Sequence, residues 1–469
     1  MFIRKPLPFV TSFIDELNKG IKKHNPYKSL TLTQKAWLGF CIMGIFMTNT
    51  VCWAKFERAS IGKYSIPALS WIFRRSSIPW DILLVISTSV ILCRYGITSG
   101  CIGIDDTDKK RSKRTKRIAY VHKIKDKGSG GYIMGQGLVF LILITSKITI
   151  PVGFAFYMPD PELKAWKKLD EKLRKQGVPK RQRPPEPPRN KNYPTIPEIA
   201  LRLLEQFKKN HPNIKIKCIF ADALYGTKKF LDRASRLFGG IQVISQIRSN
   251  QNIRYRNKYM AVEKYFSKYP GTVQKIKIRG GKEVNVILGS ARLHVCAHGK
   301  KRFVIALKYE GEEEYRYIVA SDLSWRTQDI VEAYTLRWLV EVFFEDWKGN
   351  EGWVKLTKHT YEDGSSRSLI LSLLADHCLF FHPEQLAFVE NKLPACTVGS
   401  LIRRIKVECI LYFVQEIISD ENPPQKLKDL AKVLKENVIK LEPSSKHMAN
   451  RELGRLEPTE SLKYKKVPI

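Results

Sequence analysis

The hydrophobic positions along the chain change their spacing several times, and each change predicts a different kind of element. Apolar segments with helical spacing alternate with short basic turns over residues 1–95, which predicts a helical N-terminal domain. The runs LVFLILIT and ITIPVGFAFY are rich in β-branched and aromatic residues and predict strands. Seven prolines among basic residues at 179–197 predict an extended loop.

The second half of the chain alternates between strand and helix patterns. Ile276 and Ile278 alternate with lysines, a Gly280-Gly281 turn follows, and the alternation then returns, which predicts a β-hairpin inside a β-rich segment over 251–322. Residues 327–348 have the spacing of one continuous helix, and 365–440 are predicted to be mostly helical, with a polar tail completing the region 365–469. The whole pattern predicts the α/β class.

The longest apolar stretch, Trp37 to Ala54, raises the question of a membrane span. Its length is near the lower limit for crossing a bilayer, but glycine and polar residues interrupt it, so we expect a buried core helix instead. The N-terminus lacks a signal-peptide pattern. These features predict a soluble chain with no membrane partner.

Composition adds a strong positive charge to this picture. The chain has 81 Lys and Arg against 45 Asp and Glu, a net charge of +36, and nucleic acid is the usual partner for such an excess. Nine cysteines without a C-x-x-C pattern predict free thiols in a reducing compartment and argue against a disulfide framework or structural zinc site. An apolar fraction of 43% excludes a wholly disordered protein.

Two aspartates stand at the predicted ends of apolar strands. Asp105 follows Cys101–Ile104, and Asp222 follows Ile219–Ala221. Catalytic groups collect at the carboxyl ends of strands in α/β sheets, and two converging acids favour a divalent cation between them. Taken singly, each aspartate is better explained as a helix cap or turn residue, and Asp106 and Asp108 compete with Asp105.

The predicted helix over 327–348 supplies a third acid. At about 100° per residue, four polar side chains fall within about 60° of one another. They are Tyr334, Arg337, Glu341 and Lys348. The opposite face is apolar and predicted to point to the core, and Glu345 is the second choice for the acid. A cation–acid face of this kind suits a site that holds metal beside phosphate, although a solvated helix face would also mix charges.

These motifs resemble those of the DDE transposases encoded by bacterial insertion sequences of the family numbered four. The segment YTLRWLVEVFFEDWK has the spacing of their Y-R-E-K signature. IDDT at 104–107 is similar to their first block and favours Asp105 over Asp106, and FADALYG is similar to their second block, with Asp222 as its acid. VISQIRSN is similar to the strand that follows, where Arg248 matches a basic residue near DNA.

The resemblance implies a ribonuclease-H-like mixed sheet over 96–250 and 323–364, interrupted by the β-rich insertion and followed by a helical C-terminal region over 365–469. It implies that Asp105, Asp222 and Glu341 hold two divalent ions, usually Mg²⁺ with Mn²⁺ as a substitute. It also implies that Tyr334, Arg337 and Lys348 contact DNA at the transposon end. The partners implied are transposon-end and target double-stranded DNA and a second copy in a homodimer, in the bacterial cytoplasm with the nucleoid.

Cut-and-paste DNA transposition is therefore the leading functional hypothesis, with an N-terminal domain that recognises the terminal inverted repeats. The alternative is a non-catalytic DNA-binding protein derived from a transposase, which would lack one or more of Asp105, Asp222 and Glu341. A membrane-anchored basic protein would leave the three-block match unexplained. A general ribonuclease-H-type nuclease would have no need for the Y-R-E-K face.

Overall fold

The computed structural model describes residues 5–60, 63–111, 117–125, 130–278, 281–353 and 359–433. Fifteen α-helices lie in this part of the chain: α1 (Pro8–His24), α2 (Leu32–Thr48), α3 (Trp53–Ala59), α4 (Ile66–Arg75), α5 (Trp80–Arg94), α6 (Pro161–Lys175), α7 (Ile196–Asn210), α8 (Lys228–Leu237), α9 (Val262–Lys268), α10 (Thr327–Thr335), α11 (Trp338–Asn350), α12 (Tyr361–Leu379), α13 (Pro383–Glu390), α14 (Val398–Ile418) and α15 (Pro423–Val433). The strands described are β1 (Ser99–Arg111), β2 (His122–Lys125), β3 (Tyr132–Ile144), β4 (Thr149–Tyr157), β5 (Lys215–Ala221), β6 (Gln242–Gln246), β7 (Asn252–Tyr255), β8 (Lys258–Ala261), β9 (Thr272–Lys277), β10 (Glu283–Val295), β11 (Lys300–Tyr309) and β12 (Arg316–Ala320).

One mixed sheet organises the centre of the protein. β3 lies antiparallel to both β1 and β4, whereas β5 lies parallel to β1 and to β6, so the strands run in the order β4-β3-β1-β5-β6. Parallel neighbours need a crossover, and α7 and α8 supply it before β5 and before β6. The described part of the protein is thus mixed α/β, built on a large mixed sheet.

The sheet continues beyond β6 instead of ending there. β12 pairs antiparallel with β6, and β11, β10, β7 and β8 follow in that order, with β9 beside β10. The hairpin expected around residues 276–288 is present as β9 and β10, in which Ile276 pairs with Val284; Gly280 of its expected turn lies outside the described residues. The 251–322 region is therefore β-rich and extends the central sheet through β12. Its standing as a separate inserted domain stays a prediction.

The N-terminal helices pack against the C-terminal helices, although the sequence analysis assigns them to different domains. α2 and α5 both contact α12, and α5 also contacts β4. Buried hydrogen bonds join the two regions: Ser87 Oγ and His377 Nδ1 lie 2.6 Å apart, and the Tyr95 hydroxyl donates to the carbonyl of Phe380 at 2.7 Å. One continuous apolar core runs through both groups of helices and the sheet.

α2 occupies most of the long apolar stretch, and its residues from Trp37 to Phe46 are buried within the protein. Within the described ranges, no single helix is long and apolar enough to cross a membrane. Two neighbouring helix pairs, α2 with α3 and α4 with α5, meet that measure of length and composition together, but they are bent by 91° and 89°.

The continuous helix predicted over 327–348 is broken in the structure. α10 ends at Thr335, a turn occupies Leu336 and Arg337, and α11 begins at Trp338. The break lets α10 run beside β9 while α11 packs against β1. Periodicity did not reveal it, because the helical spacing of apolar residues is nearly unchanged across a turn of two residues.

Candidate metal and DNA site

β1 and β5 bring the first two predicted acids together. The parallel pairing of these strands ends at Ile104 and Ala221. Asp105 and Asp222 are the residues that follow this pairing on the β1 side and the β5 side. One carboxylate oxygen from each of Asp105, Asp106 and Asp222 lies within 4.8 Å of the other two. This acidic cluster, Asp105–Asp106–Asp222, is the one group in the described part of the chain with a spacing that suits a metal ion.

The position of Asp105 on its strand differs from the prediction. β1 does not end at this residue but continues to Arg111, with Asp105 paired to Phe140 of β3. The strand can continue because β3 is long enough to pair with the polar residues after Ile104. The parallel pairing with β5 does end at Ile104, so Asp105 lies at the end of the parallel pair.

The sequence left open whether Asp222 caps a turn or belongs to a metal site, and its position in the structure suits both roles. Its Oδ1 accepts a hydrogen bond at 2.9 Å from the backbone N–H of Leu224 and so caps the short 3₁₀ turn Ala223–Tyr225. The same side chain belongs to the acidic cluster. A capping role and a ligand role are therefore compatible at this position.

Glu341 reaches the cluster through a cation. It lies in the first turn of α11, and its Oε1 accepts a hydrogen bond at 3.1 Å from Nη1 of Arg337. The same nitrogen lies 3.1 Å from Oδ2 of Asp105. Glu341 is thus joined to Asp105 by Arg337 and is not itself part of the three-aspartate group. Glu345, the second choice, is exposed on α11.

Close packing of α11 on β1 brings Glu341 near the acidic cluster. A Cβ atom at Gly103 would lie 2.4 Å from Cγ2 of Val340, a separation that real atoms do not adopt. Glycine at this position therefore lets the helix approach the strand directly. Val340, Phe343 and Trp347 form the buried side of α11, as the predicted apolar face required.

Burial changes the protonation of the cluster. It raises the pKa of Asp105 to about 7, while the Arg337 guanidinium opposes this shift and the charge of Asp222 adds to it. Burial also raises the pKa of Tyr225 well above its usual range, with the negative charges of the three aspartates acting in the same direction. Acids that repel one another in a desolvated site are stabilised by a cation.

Two residues of the site, Asp106 and Tyr225, are not among the residues that the sequence selected, although Asp106 was named as an alternative to Asp105. Asp106 ranked behind Asp105, yet the structure places both in the acidic cluster. Tyr225 is fully buried, and its hydroxyl has no hydrogen-bond partner among the described residues. The consecutive aspartates were a visible signal for Asp106. Nothing in the local pattern marked Tyr225, because its position depends on the turn that Asp222 caps.

The other three predicted DNA-binding residues have different surroundings. Tyr334 is only 8% exposed, and its hydroxyl donates to the carbonyl of Ala221 at 3.3 Å, so it does not share an open face with Arg337 and Glu341 as predicted. Lys348 lies in the last turn of α11, with Nζ 5.2 Å from the centre of the Phe344 ring. Arg248 is exposed in the loop after β6. Their contacts with DNA stay predictions.

Seven of the nine residues at 109–117 are Lys or Arg, and the structure describes only part of this basic run. Lys109 ends the inward-facing series of β1 and is 5% exposed, with Nζ 4.5 Å from the centre of the Trp353 ring. Burial lowers the pKa of Lys109 to about 6. This lysine is therefore not a surface cation, and residues 112–116 of the run lie outside the described residues.

Comparisons with known proteins agree with this chemistry. Residues 195–375 match a family model described as a transposase DDE domain, and residues 75–269 match one described as a DDE superfamily endonuclease. The first range includes Asp222 and Glu341, and the second includes Asp105 and Asp222. These matches support a DDE-superfamily transposase or endonuclease.

The other comparisons add little. No curated protein matches the chain significantly. Among solved structures, the NurA nuclease from Sulfolobus solfataricus shares 9% identity with a TM-score of 0.23, over 50% of this chain and 71% of that chain. A likeness at that score carries no argument about fold or activity.

Proposed function

We propose that the protein is the transposase of a bacterial insertion sequence of family four, which binds its element's terminal inverted repeats and catalyses DNA strand cleavage and strand transfer. The observation that carries the proposal is the convergence of Asp105 and Asp222 with α11, whose Glu341 shares Arg337 with Asp105. The DDE family matches span both aspartates and the helix. The net charge of +36 supports a nucleic-acid substrate.

The donor set fits divalent cations. Three carboxylates with oxygens within 4.8 Å of one another are hard oxygen ligands of the kind that Mg²⁺ and Mn²⁺ prefer. Asp105, Asp222 and Glu341 would hold two ions, with Asp106 as a further ligand. When bound, such ions supply a Lewis acid at the scissile phosphate and lower the pKa of the attacking water or 3′-hydroxyl.

The protein's own residues orient the reacting groups. Asp222 is fixed by its bond to Leu224, and the β1–β5 pairing holds it beside Asp105. Arg337 and Lys348 supply cations on the α11 side, where guanidinium and ammonium groups bind phosphate oxygens of the transposon end. The buried Tyr334 hydroxyl ties α10 to the end of β5 and thereby positions Arg337. Two copies are proposed to pair the two element ends.

The decisive experiment uses the DNA that flanks the reading frame, cloned on a supercoiled plasmid. Purified protein in Mg²⁺ should cut at the element boundaries, whereas Glu341→Gln should bind the same DNA without cutting it, because a proposed metal ligand is lost while the basic surface remains. A plasmid without the flanks is the control. Binding without cleavage by the unaltered protein would favour a retired DNA-binding derivative. Cleavage by Glu341→Gln would move the third acid to another residue.

A further inference from the structure

Arg337 is a cation that contacts two acids of the candidate site, Asp105 and Glu341. A single nitrogen, Nη1, lies 3.1 Å from Oδ2 of Asp105 and 3.1 Å from Oε1 of Glu341. The Arg337 side chain is 19% exposed and that of Asp105 is 12% exposed, so the Arg337–Asp105 ion pair is largely shielded from water, whereas the Glu341 side chain is 43% exposed. Shielding strengthens the interaction relative to an ion pair at the surface.

The same two carboxylates are proposed ligands of divalent ions. A cation of charge two that uses oxygens of Asp105 and Glu341 competes with Nη1 for those oxygens and repels the guanidinium at short range. Both groups therefore cannot hold the acids together at full strength. Metal binding must displace Arg337 or weaken its bonds.

A displaced guanidinium needs another anion, because a partly buried charge without a partner is costly. Arg337 lies in the turn between α10 and α11, at the edge of the acidic cluster. The anion that arrives at this site in the proposed reaction is a DNA phosphate, and guanidinium groups bind phosphate through two parallel hydrogen bonds.

We propose that Arg337 is an exchangeable internal cation, which competes with divalent ions for Asp105 and Glu341 and, once displaced, positions a DNA phosphate beside them. This inference rests on the proposed function and adds to it a coupling between metal binding and DNA binding. DNA that draws Arg337 away raises the affinity of the site for metal. By thermodynamic reciprocity, metal raises the affinity for DNA by the same factor.

The alternative is that Arg337 is a fixed brace that holds α11 against β1. The two roles predict opposite results when the charge is removed. A brace positions Asp105 and Glu341 for metal, so its loss weakens metal binding. An exchangeable cation competes with metal, so its loss tightens metal binding.

The test titrates Mn²⁺ into the full-length protein by calorimetry, without DNA and then with a saturating duplex carrying an element end. Without DNA, Arg337→Gln should bind Mn²⁺ at least about fivefold more tightly than the unaltered protein. Arg337→Lys, which keeps the charge, should remain close to the unaltered protein. The duplex should tighten Mn²⁺ binding at least about fivefold in the unaltered protein and should have little effect in Arg337→Gln.

Arg326→Gln is the matched control, because it removes the same charge near the start of α10. Arg326 is 81% exposed and pairs with Asp329 at 2.7 Å, outside the acidic cluster. Mn²⁺ affinity should not change in this variant. An equal gain in Arg326→Gln would attribute the effect to net charge and overturn the proposal.

Weaker or unchanged Mn²⁺ binding by folded Arg337→Gln would also overturn the proposal in favour of the brace. If that variant does not fold, the unaltered protein decides, since a duplex that fails to tighten Mn²⁺ binding excludes the coupling. The variant Asp222→Asn distinguishes a failure of the proposed function from a failure of the Arg337 inference. If it binds Mn²⁺ as well as the unaltered protein, the metal site and the proposed function fail, whereas a loss of Mn²⁺ in Asp222→Asn with no change in Arg337→Gln overturns the Arg337 inference alone.

Discussion

Two groups of acids lie at opposite ends of α11, one partly buried and the other fully buried, and their neighbouring residues differ. At the N-terminal end, Asp105, Asp106 and Asp222 converge beside Glu341. At the C-terminal end, Glu351 and Asp376 of α12 form a buried pair. Both groups gather acids of like charge in a desolvated place, which disfavours their ionised forms.

The presence of a cation distinguishes the two groups. Arg337 contacts Asp105 and Glu341, whereas no ion pair joins Glu351 or Asp376 to a cation in the part of the chain that the structure describes. Burial raises the pKa of Asp376 to about 7, and burial with the charge of Asp376 raises that of Glu351 well above its ordinary value. The N-terminal group is thus paired with a cation, whereas burial favours the protonated forms of the C-terminal pair.

Replacing one carboxylate in each group should produce the largest difference in strand cleavage between two variants. Asp222→Asn should reduce strand cleavage at least about 1,000-fold, because the site loses a charged ligand, while DNA binding remains. Asp376→Asn makes the same chemical change in the other group and should cleave within about threefold of the unaltered protein. Cleavage of an end-containing plasmid and gel-shift binding measure both effects. Equal losses in two folded variants would remove the functional distinction between the groups.

Two glycines test whether each end of α11 must pack closely. Gly103→Ala puts a Cβ atom in conflict with Val340 and should push α11 away from β1, at a cost of about 1–3 kcal/mol in the free energy of unfolding and about 10–100-fold in cleavage. Gly349→Ala, near the C-terminal end, meets no atom within 4 Å and should be neutral or stabilise by up to about 1 kcal/mol. Urea unfolding and plasmid cleavage are the measurements. Unchanged cleavage in Gly103→Ala would show that Glu341 does not need this close approach.

The smallest effect concerns pH. Because the pKa of Asp376 is raised in the folded protein, its protonated form contributes stability that is complete below about pH 4 and is lost as the pH rises through about 7. Asp376→Asn should remove this pH-dependent loss. Between about pH 5 and pH 8, the free energy of unfolding of the variant should rise by about 1–3 kcal/mol relative to that of the unaltered protein. Urea unfolding at the two pH values measures the difference.

Asp363→Asn controls for the loss of one negative charge, since Asp363 lies on the same helix with its side chain 76% exposed. A gain of the same size in that variant, or a gain in Asp376→Asn that does not change with pH, would show that the pair is not held protonated. Either result would bring the two acid groups closer in character.

The pattern of neighbouring residues was sufficient to predict the elements whose formation depends on local sequence. The strands over 138–157, the hairpin at 276–288 and the Pro-rich loop follow from periodicity and turn residues. Asp105 and Asp222 follow apolar segments, and Glu341 shares a predicted helix face with Arg337 and Lys348, so all three were visible as candidates. The break at Leu336 and Arg337 was not visible, since the apolar spacing continues across it.

The sequence by itself determined the alternation of helices and strands, the strong positive charge and the identity of three candidate acids. Only the tertiary structure decided that Asp106 joins the cluster, that Tyr334 is buried and that one guanidinium links Asp105 with Glu341. The reason is physical. Spacing along a chain fixes which face a side chain occupies within one element, whereas distances between β1, β5 and α11 depend on sheet pairing and on the close contact at Gly103.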